Sequence, residues 1–150
     1  MIPKLTERIA IFPGSFNPFT IGHLSILERF IPLFDKVYVA VGSNYSKSTS
    51  DIKDHLEQIR KVTSHLQGVE VIEYDGLTVD AARSVNAAYI IRGVRTVVDF
   101  ENEKKMADVN RRLSGIETII MFTRPELEWV SSSLVRELQH FGLDISHLLP

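Results

Sequence analysis

The chain has 150 residues, 44% of them hydrophobic, and no cysteine, and its 17 Lys and Arg against 19 Asp and Glu give a formal net charge of -2. A chain this long buries about 68 to 70% of its unfolded surface, so a single core is expected without metal or disulfide staples; the lack of cysteine excludes a disulfide framework, a zinc ribbon and a thiol nucleophile, and fits a reducing compartment, with the cytoplasm expected. No stretch approaches the roughly 20 apolar residues of a membrane helix, residues 1–8 lack the apolar centre of a signal peptide, and the near-even charge argues against broad nucleic-acid binding while leaving a small phosphorylated ligand open.

In chain order, an apolar strand is expected over 9–12, then a loop, then a helix over 22–34. Leu27, Phe30, Ile31 and Phe34 keep helical spacing there. Pro32 deletes a backbone donor and crowds the turn before it, so a kink or early end is expected. A second strand covers 36–41, and the polar run 44–50 follows it as a loop too short to be a linker. The helix expected over 51–66 sets Ile52, Leu56, Ile59 and Leu66 on one face and Lys53, Glu57, Arg60 and Lys61 on the other. A strand over 69–74, a helix over 78–85, a strand over 88–91, a helix over 97–113, a strand over 117–122 and a helix over 132–141 complete the alternation. Such alternation is the mark of βαβ units, and most strands read as continuous apolar runs, as in a parallel sheet covered on both faces. The expected fold is a single α/β domain: a Rossmann-like, doubly wound, parallel five-stranded sheet with helices on both faces. Ligands of such sheets bind outside the carboxyl ends of the strands.

The loop after the first strand reads Pro13-Gly14-Ser15-Phe16-Asn17-Pro18-Phe19-Thr20-Ile21-Gly22-His23. Its prolines and glycines fix a tight turn whose backbone can approach a ligand, and the helix that follows presents unpaired N–H groups that favour phosphate. Ser15 adds a hydroxyl, and His23 in the first turn can donate a ring N–H to an oxygen whose charge grows during reaction. The plainer alternative is a capped helix, with Thr20 as N-cap and a structural histidine. At the end of the fourth strand, Ile91-Arg92-Gly93-Val94-Arg95 offers two guanidinium forks suited to phosphate; the alternative is a surface ion pair with Asp99 or Glu101. Trp129-Val130-Ser131-Ser132-Ser133-Leu134-Val135-Arg136-Glu137 opens the last helix, as a phosphate site or as ordinary capping. Lys47 in the polar loop is a flexible cation or solvated surface. Glu103 is either a site acid or a solvated acid paired with Lys104, Lys105 or the helix dipole.

Together these elements resemble the phosphopantetheine adenylyltransferase family of T/H-x-G-H nucleotidyltransferases. Thr20-Ile21-Gly22-His23 matches that signature, residues 13–18 resemble its P-G-S/T-F-D-P element with Asn17 in place of Asp, and Ile91 to Arg95 resemble I-R-G-L/V-R. Residues 99–103 resemble D-F-E-x-E, with Asn102 for the usual Tyr, and residues 131–137 resemble S-S-S-L-V-R-E at a spacing from Pro125 about two residues shorter than the family's. The resemblance spans nearly the whole chain as one nucleotidyltransferase domain, 1–150. It implies transfer of the adenylyl group of ATP to 4′-phosphopantetheine, giving dephospho-coenzyme A and pyrophosphate. It assigns His23 to the transition state, and Ser15, Phe16, His23, Gly93, Val94, Arg95, Glu103 and the run Leu127, Glu128, Trp129, Val130, Ser131, Ser132 and Ser133 to ATP. Ser15, Lys47, Thr78 and Arg92 fall to phosphopantetheine. Mg²⁺ is expected with ATP rather than in a protein cage, and a homohexamer with coenzyme A as feedback ligand is implied. Transfer to another phosphate acceptor, such as nicotinate mononucleotide or glycerol phosphate, and a silent nucleotide-binding module are the competing readings.

Overall fold

A computed structural model describes residues 7–43 and 49–150. Five parallel strands, β1 (Ile9–Gly14), β2 (Lys36–Gly42), β3 (Val69–Tyr74), β4 (Tyr89–Val94) and β5 (Glu117–Phe122), form one sheet in the order β3-β2-β1-β4-β5. The helices are α1 (Ile21–Phe30), α2 (Thr49–Thr63), α3 (Thr78–Ser84), α4 (Val97–Ser114) and α5 (Ser132–His140). The α/β reading of the sequence is the observed architecture.

Period two along the strands sorts the core. Ala10, Phe12, Val37, Val39, Val41, Val71 and Ile91 pack with Leu27 and Phe30 of α1 and Ile52, Leu56 and Ile59 of α2. Ile11, Ala40 and Ile90 face the other way, onto Val79 and Ala82 of α3. Each such fully buried aliphatic or aromatic side chain contributes about 1.5 to 3 kcal/mol relative to exposure. A third cluster, Val130, Val135 and Leu148, ties α5 to Ile21 at the start of α1.

The termini obey local chemistry. Pro32 does end α1 early: the helix stops at Phe30 and continues as a 3₁₀ turn, Ile31–Leu33. α2 stops at Thr63, short of the expected 66, where the Thr63 hydroxyl donates back to the Ile59 carbonyl at 2.7 Å and the Ser64 hydroxyl takes the Lys61 carbonyl at 2.9 Å, an acceptor that another turn would use. α4 ends on Gly115 in the left-handed conformation, φ 77°. Two 3₁₀ turns, Pro125–Leu127 and Ser146–Leu148, were not expected from the sequence.

β1 and β4 run longer than the expected 9–12 and 88–91, and both extensions carry site residues. β1 stays paired with β2 as far as Gly14↔Val41, but pairs with β4 only at Ala10↔Tyr89 and Ile11↔Ile90. Pro13, which lacks an N–H, therefore falls where nothing on the β4 side asks for a donor. The strand order reverses between these two strands, and their carboxyl ends part to open a crevice.

Candidate active site

Thr20 is the N-cap of α1, and its hydroxyl oxygen accepts from the His23 N–H at 3.3 Å. The imidazole returns the bond: His23 Nδ1 accepts from the Thr20 N–H at 2.9 Å and lies 3.1 Å from Thr20 Oγ1. This is a capping box with histidine in the place Glu or Gln usually takes. A backbone N–H can only donate, so Nδ1 is the unprotonated nitrogen and Nε2 carries the proton. Phe16 meets the ring edge-on at a centroid distance of 5.0 Å and 88°, and Phe19 lies at 5.4 Å. Burial first, then the positive charges of Arg92 and Arg95, push the imidazole pKa down to about 4. At neutral pH His23 is thus an uncharged, oriented N–H donor. The capping bonds that the first reading expects also orient the Nε2–H donor that the functional reading requires.

That donor opens into a cavity of about 320 Å³ at the carboxyl ends of β1 and β4, lined also by Ser15, Phe16, Arg92, Gly93, Arg95 and Ser131 to Ser133. A second cavity of about 180 Å³ adjoins it on the α3/α4 side of the sheet, with Thr78 and Asn110 in its wall. Gly14, Arg92 and Glu103 line both. Thr118 Oγ1, also in the second wall, is buried without a hydrogen-bond partner among the described residues.

Arg92 is clamped by its surroundings. Nε donates to both Glu103 oxygens at 3.0 and 2.9 Å, Nη2 donates to Oε1 at 2.6 Å, and Nη1 donates to the Pro13 carbonyl. One N–H on each terminal nitrogen remains for a ligand. Its partner is neither of the carboxylates expected from sequence, nor does Glu103 pair with a lysine; strand alternation turns Arg92 toward α4, where Glu103 comes down over β4. Arg95 does pair with Asp99, Nε to Oδ2 at 3.2 Å. Gly93 faces the opposite side of β4, where a Cβ would stand 2.7 Å from Ile26 Cγ1, so only glycine lets α1 lie this close.

All three serine hydroxyls at the start of α5 are engaged: Ser131 Oγ accepts from the Leu134 N–H at 3.1 Å as N-cap, Ser132 Oγ donates to the Pro18 carbonyl at 2.8 Å, and Ser133 Oγ accepts from Arg136 Nη2 at 3.4 Å, which leaves the Ser133 O–H proton to donate. What this segment offers an anion is its first-turn N–H groups and the Ser133 hydroxyl.

The profile of the cytidylyltransferase-like family matches residues 11–138. A curated relative from Bacteroides fragilis, named phosphopantetheine adenylyltransferase, is 50% identical over 144 residues, covering 95% of this chain and 96% of the relative. The chain belongs to the phosphopantetheine adenylyltransferase family. Relatives of that name from Porphyromonas gingivalis and Synechocystis are 44% identical over 147 residues and 46% over 144, covering 97% and 95% of this chain and 96% and 91% of their own. Among solved structures, one described as a candidate nicotinate-nucleotide adenylyltransferase from Vibrio parahaemolyticus superposes with a TM-score of 0.69 at 20% identity, over 96% of this chain and 94% of that one, and shows the fold alone.

Against the site expected from the family resemblance, Ser15, Phe16, His23, Gly93, Arg95, Val130 and Ser131 to Ser133 share one cavity, Thr78 lies in the second, and Arg92 and Glu103 are in both. Val94 is buried in the core instead of lining either. Leu127, Glu128 and Trp129 line neither; Leu127 packs into the α5 cluster, and Trp129 is 54% exposed with its indole N–H on the Glu126 carbonyl at 3.1 Å. Lys47 lies outside the described residues. Arg136 was not expected: it lines the larger cavity and donates to the Asn17 carbonyl at 2.6 Å. The signal was its place three residues after Ser133, on the same face of α5.

Proposed function

We propose that this chain transfers the adenylyl group of ATP to the phosphate of 4′-phosphopantetheine, forming dephospho-coenzyme A and releasing pyrophosphate. The observation that carries this reading is the common wall of the two cavities: Arg92 lines both, with His23 and Arg95 in the larger one. Two phosphorylated molecules entering from either side would meet at that wall.

The chemistry suits the residues. The acceptor phosphate is already an anion and needs no general base. One of its oxygens bonds to the α-phosphorus of ATP while the bond from that phosphorus to the pyrophosphate oxygen breaks, and the electron pair leaves with pyrophosphate. Catalysis is then alignment plus stabilisation of charge on the non-bridging α-oxygens. His23 Nε2–H is the donor for that charge, and its neutrality avoids a competing ion pair with the triphosphate in the ground state. Arg95, the α5 N–H groups and Ser133 hold the triphosphate tail. Ser15, Arg92 and, on the family resemblance, Lys47 hold the acceptor phosphate, while the backbone at Thr78 meets its pantetheine arm. Glu103 acts by fixing the Arg92 fork.

Mg²⁺ enters, on this reading, as part of the nucleotide substrate, reducing repulsion between the two anions. Among the described residues no group of three His, Cys, Asp or Glu side chains is placed to hold a metal ion, and Asp99 and Glu103 are occupied by arginines. A homohexamer with coenzyme A as feedback ligand, working in the cytoplasm, completes the proposal; the exposed Val97, Val98, Met106, Val109 and Leu113 of α4 support association of copies. No helix among the described residues is long and apolar enough to cross a membrane.

The test is pyrophosphate release with MgATP and a panel of acceptors: 4′-phosphopantetheine, nicotinate mononucleotide and glycerol phosphate. Release that depends on phosphopantetheine is expected. A higher kcat/KM with another acceptor, or no release with any, overturns the reading.

A further inference from the structure

His55 belongs to none of the motifs, yet its ring touches the site loop. It lies on α2 between Ile52 and Ile59 at helical spacing, on the edge of the face that α2 buries, and its Nε2 is 2.9 Å from the Ser15 carbonyl oxygen. A carbonyl only accepts, so Nε2 must carry the proton and donate. The peptide joining Ser15 to Phe16 is trans, since Asn17-Pro18 is the cis bond in this loop, and in a trans peptide the C=O and the following N–H point in opposite directions. With the Ser15 oxygen drawn toward α2, the Phe16 N–H is aimed away from α2, and both Ser15 and Phe16 line the larger cavity. Among the described residues that N–H has no acceptor. Phe16 also holds φ at +48°, a conformation a residue with a Cβ adopts only when its surroundings impose it. Its ring, 3% exposed against Phe12, Phe19 and His23, supplies one half of that imposition.

We infer that His55 is a positioning residue that supplies the other half: by holding the Ser15 carbonyl it presents the Phe16 amide as a hydrogen-bond donor to a phosphate oxygen of the nucleotide. The inference rests on the proposed function for the identity of that ligand, but not for the anchoring itself. Without the anchor, the peptide plane is free to rotate, and a donor fixed before binding must instead be oriented during it.

The experiment uses the full chain as wild type, His55→Ala and His55→Gln, the glutamine amide being able to donate to the same carbonyl. Two readouts are taken: steady-state pyrophosphate release with MgATP and phosphopantetheine, and the Phe16 amide resonance in ¹⁵N-phenylalanine-labelled protein titrated with MgATP. In wild type the Phe16 amide proton moves downfield on ATP addition. In His55→Ala that movement is lost and kcat/KM for ATP falls about tenfold, the effect of one misoriented charge-assisted bond, with the unfolding midpoint near wild type; His55→Gln recovers most of both. An unchanged Phe16 response and unchanged kcat/KM in His55→Ala overturn the inference, as does a folded His55→Gln as impaired as the alanine variant. If wild type releases no pyrophosphate at all, the proposed reaction fails, and the amide titration still decides the anchor.

Discussion

Gly93→Ala tests how closely α1 must lie on β4 for the site to exist. The added Cβ would stand 2.7 Å from Ile26 Cγ1 and 3.0 Å from its Cδ1, whereas unstrained carbon contacts lie at about 3.5 to 4.0 Å. Roughly 1 Å must open between strand and helix, or Ile26, only 3% exposed, must leave its rotamer. Overpacking of this kind costs about 1 to 3 kcal/mol, read as a lowered urea midpoint. Ile26 is one turn beyond His23, so a helix displaced by about 1 Å carries the imidazole with it, and a misplacement of that size costs about 10²-fold in turnover. Trimming the obstacle separates the two responses. In the Gly93→Ala, Ile26→Ala pair the clash is gone, so the loss of stability should be well below the sum of the single losses. A Gly93→Ala protein with wild-type midpoint and wild-type pyrophosphate release would refute the packing argument. A lowered midpoint with full activity would mean that Ile26 yields and the helix stays, which refutes the coupling to His23.

Three further outcomes follow from the same geometry. His23→Ala should lose about 10² to 10³ in kcat while ATP affinity by calorimetry changes little, because the Nε2 donor serves charge that appears in the transition state; equal losses in both would contradict that role. His23 has a folded pKa of about 4 against an ordinary 6.5, so the unfolded chain binds more protons between those values, and the stability tied to its neutral form is complete above pH 6.5 and lost as pH falls through that window toward 4. Urea unfolding of His23→Asn should accordingly show a weaker acid dependence there than wild type. Arg92→Lys should bind phosphopantetheine about tenfold or more weaker, nearly as badly as Arg92→Ala, since one ammonium cannot hold both Glu103 oxygens, the Pro13 carbonyl and a phosphate at once; near-wild-type affinity in the lysine variant would show that charge alone suffices.

Where apolar runs carry the signal, the sequence and the fold agree closely: β3 and β5 begin and end at the expected residues, and Ile52, Leu56 and Ile59 form the buried face of α2. The misjudged ends of β1 and β4 fall where residues with breaker character are held by tertiary neighbours. Pro13, Gly14 and Gly93 read as loop, but the ladders to β2 and β5 keep them in strand. The residues that line the larger cavity stood out through their motifs, because glycine, arginine and helix-start hydroxyls grouped at strand ends leave a mark in a sequence. Its internal pairings were not. That Arg92 would choose Glu103 depends on where α4 crosses β4, and that Ser132 would tie down the Pro18 carbonyl depends on a contact spanning 114 residues. His55 left no mark, since one half-buried histidine on an amphipathic helix looks like any other.

The alternation of β4 explains how so short a stretch can line two cavities. Ile90 and Arg92 face the α3/α4 side, Ile91 and Gly93 the α1/α2 side, and Arg95 lies beyond the strand's end, free of either face. The smaller cavity lies on the first side and His23 reaches the larger one from the second, so on the proposed function each ligand would approach from its own face of the sheet and the two would meet past the last paired residues of β1 and β4. A guanidinium meant to touch both must therefore lie at the rim and keep a fixed direction. Glu103 and the Pro13 carbonyl fix that direction and leave one N–H on each terminal nitrogen for a ligand. Seen this way, the ion pair does not compete with phosphate binding: it removes the rotamer freedom a lone arginine would otherwise lose on meeting its ligand.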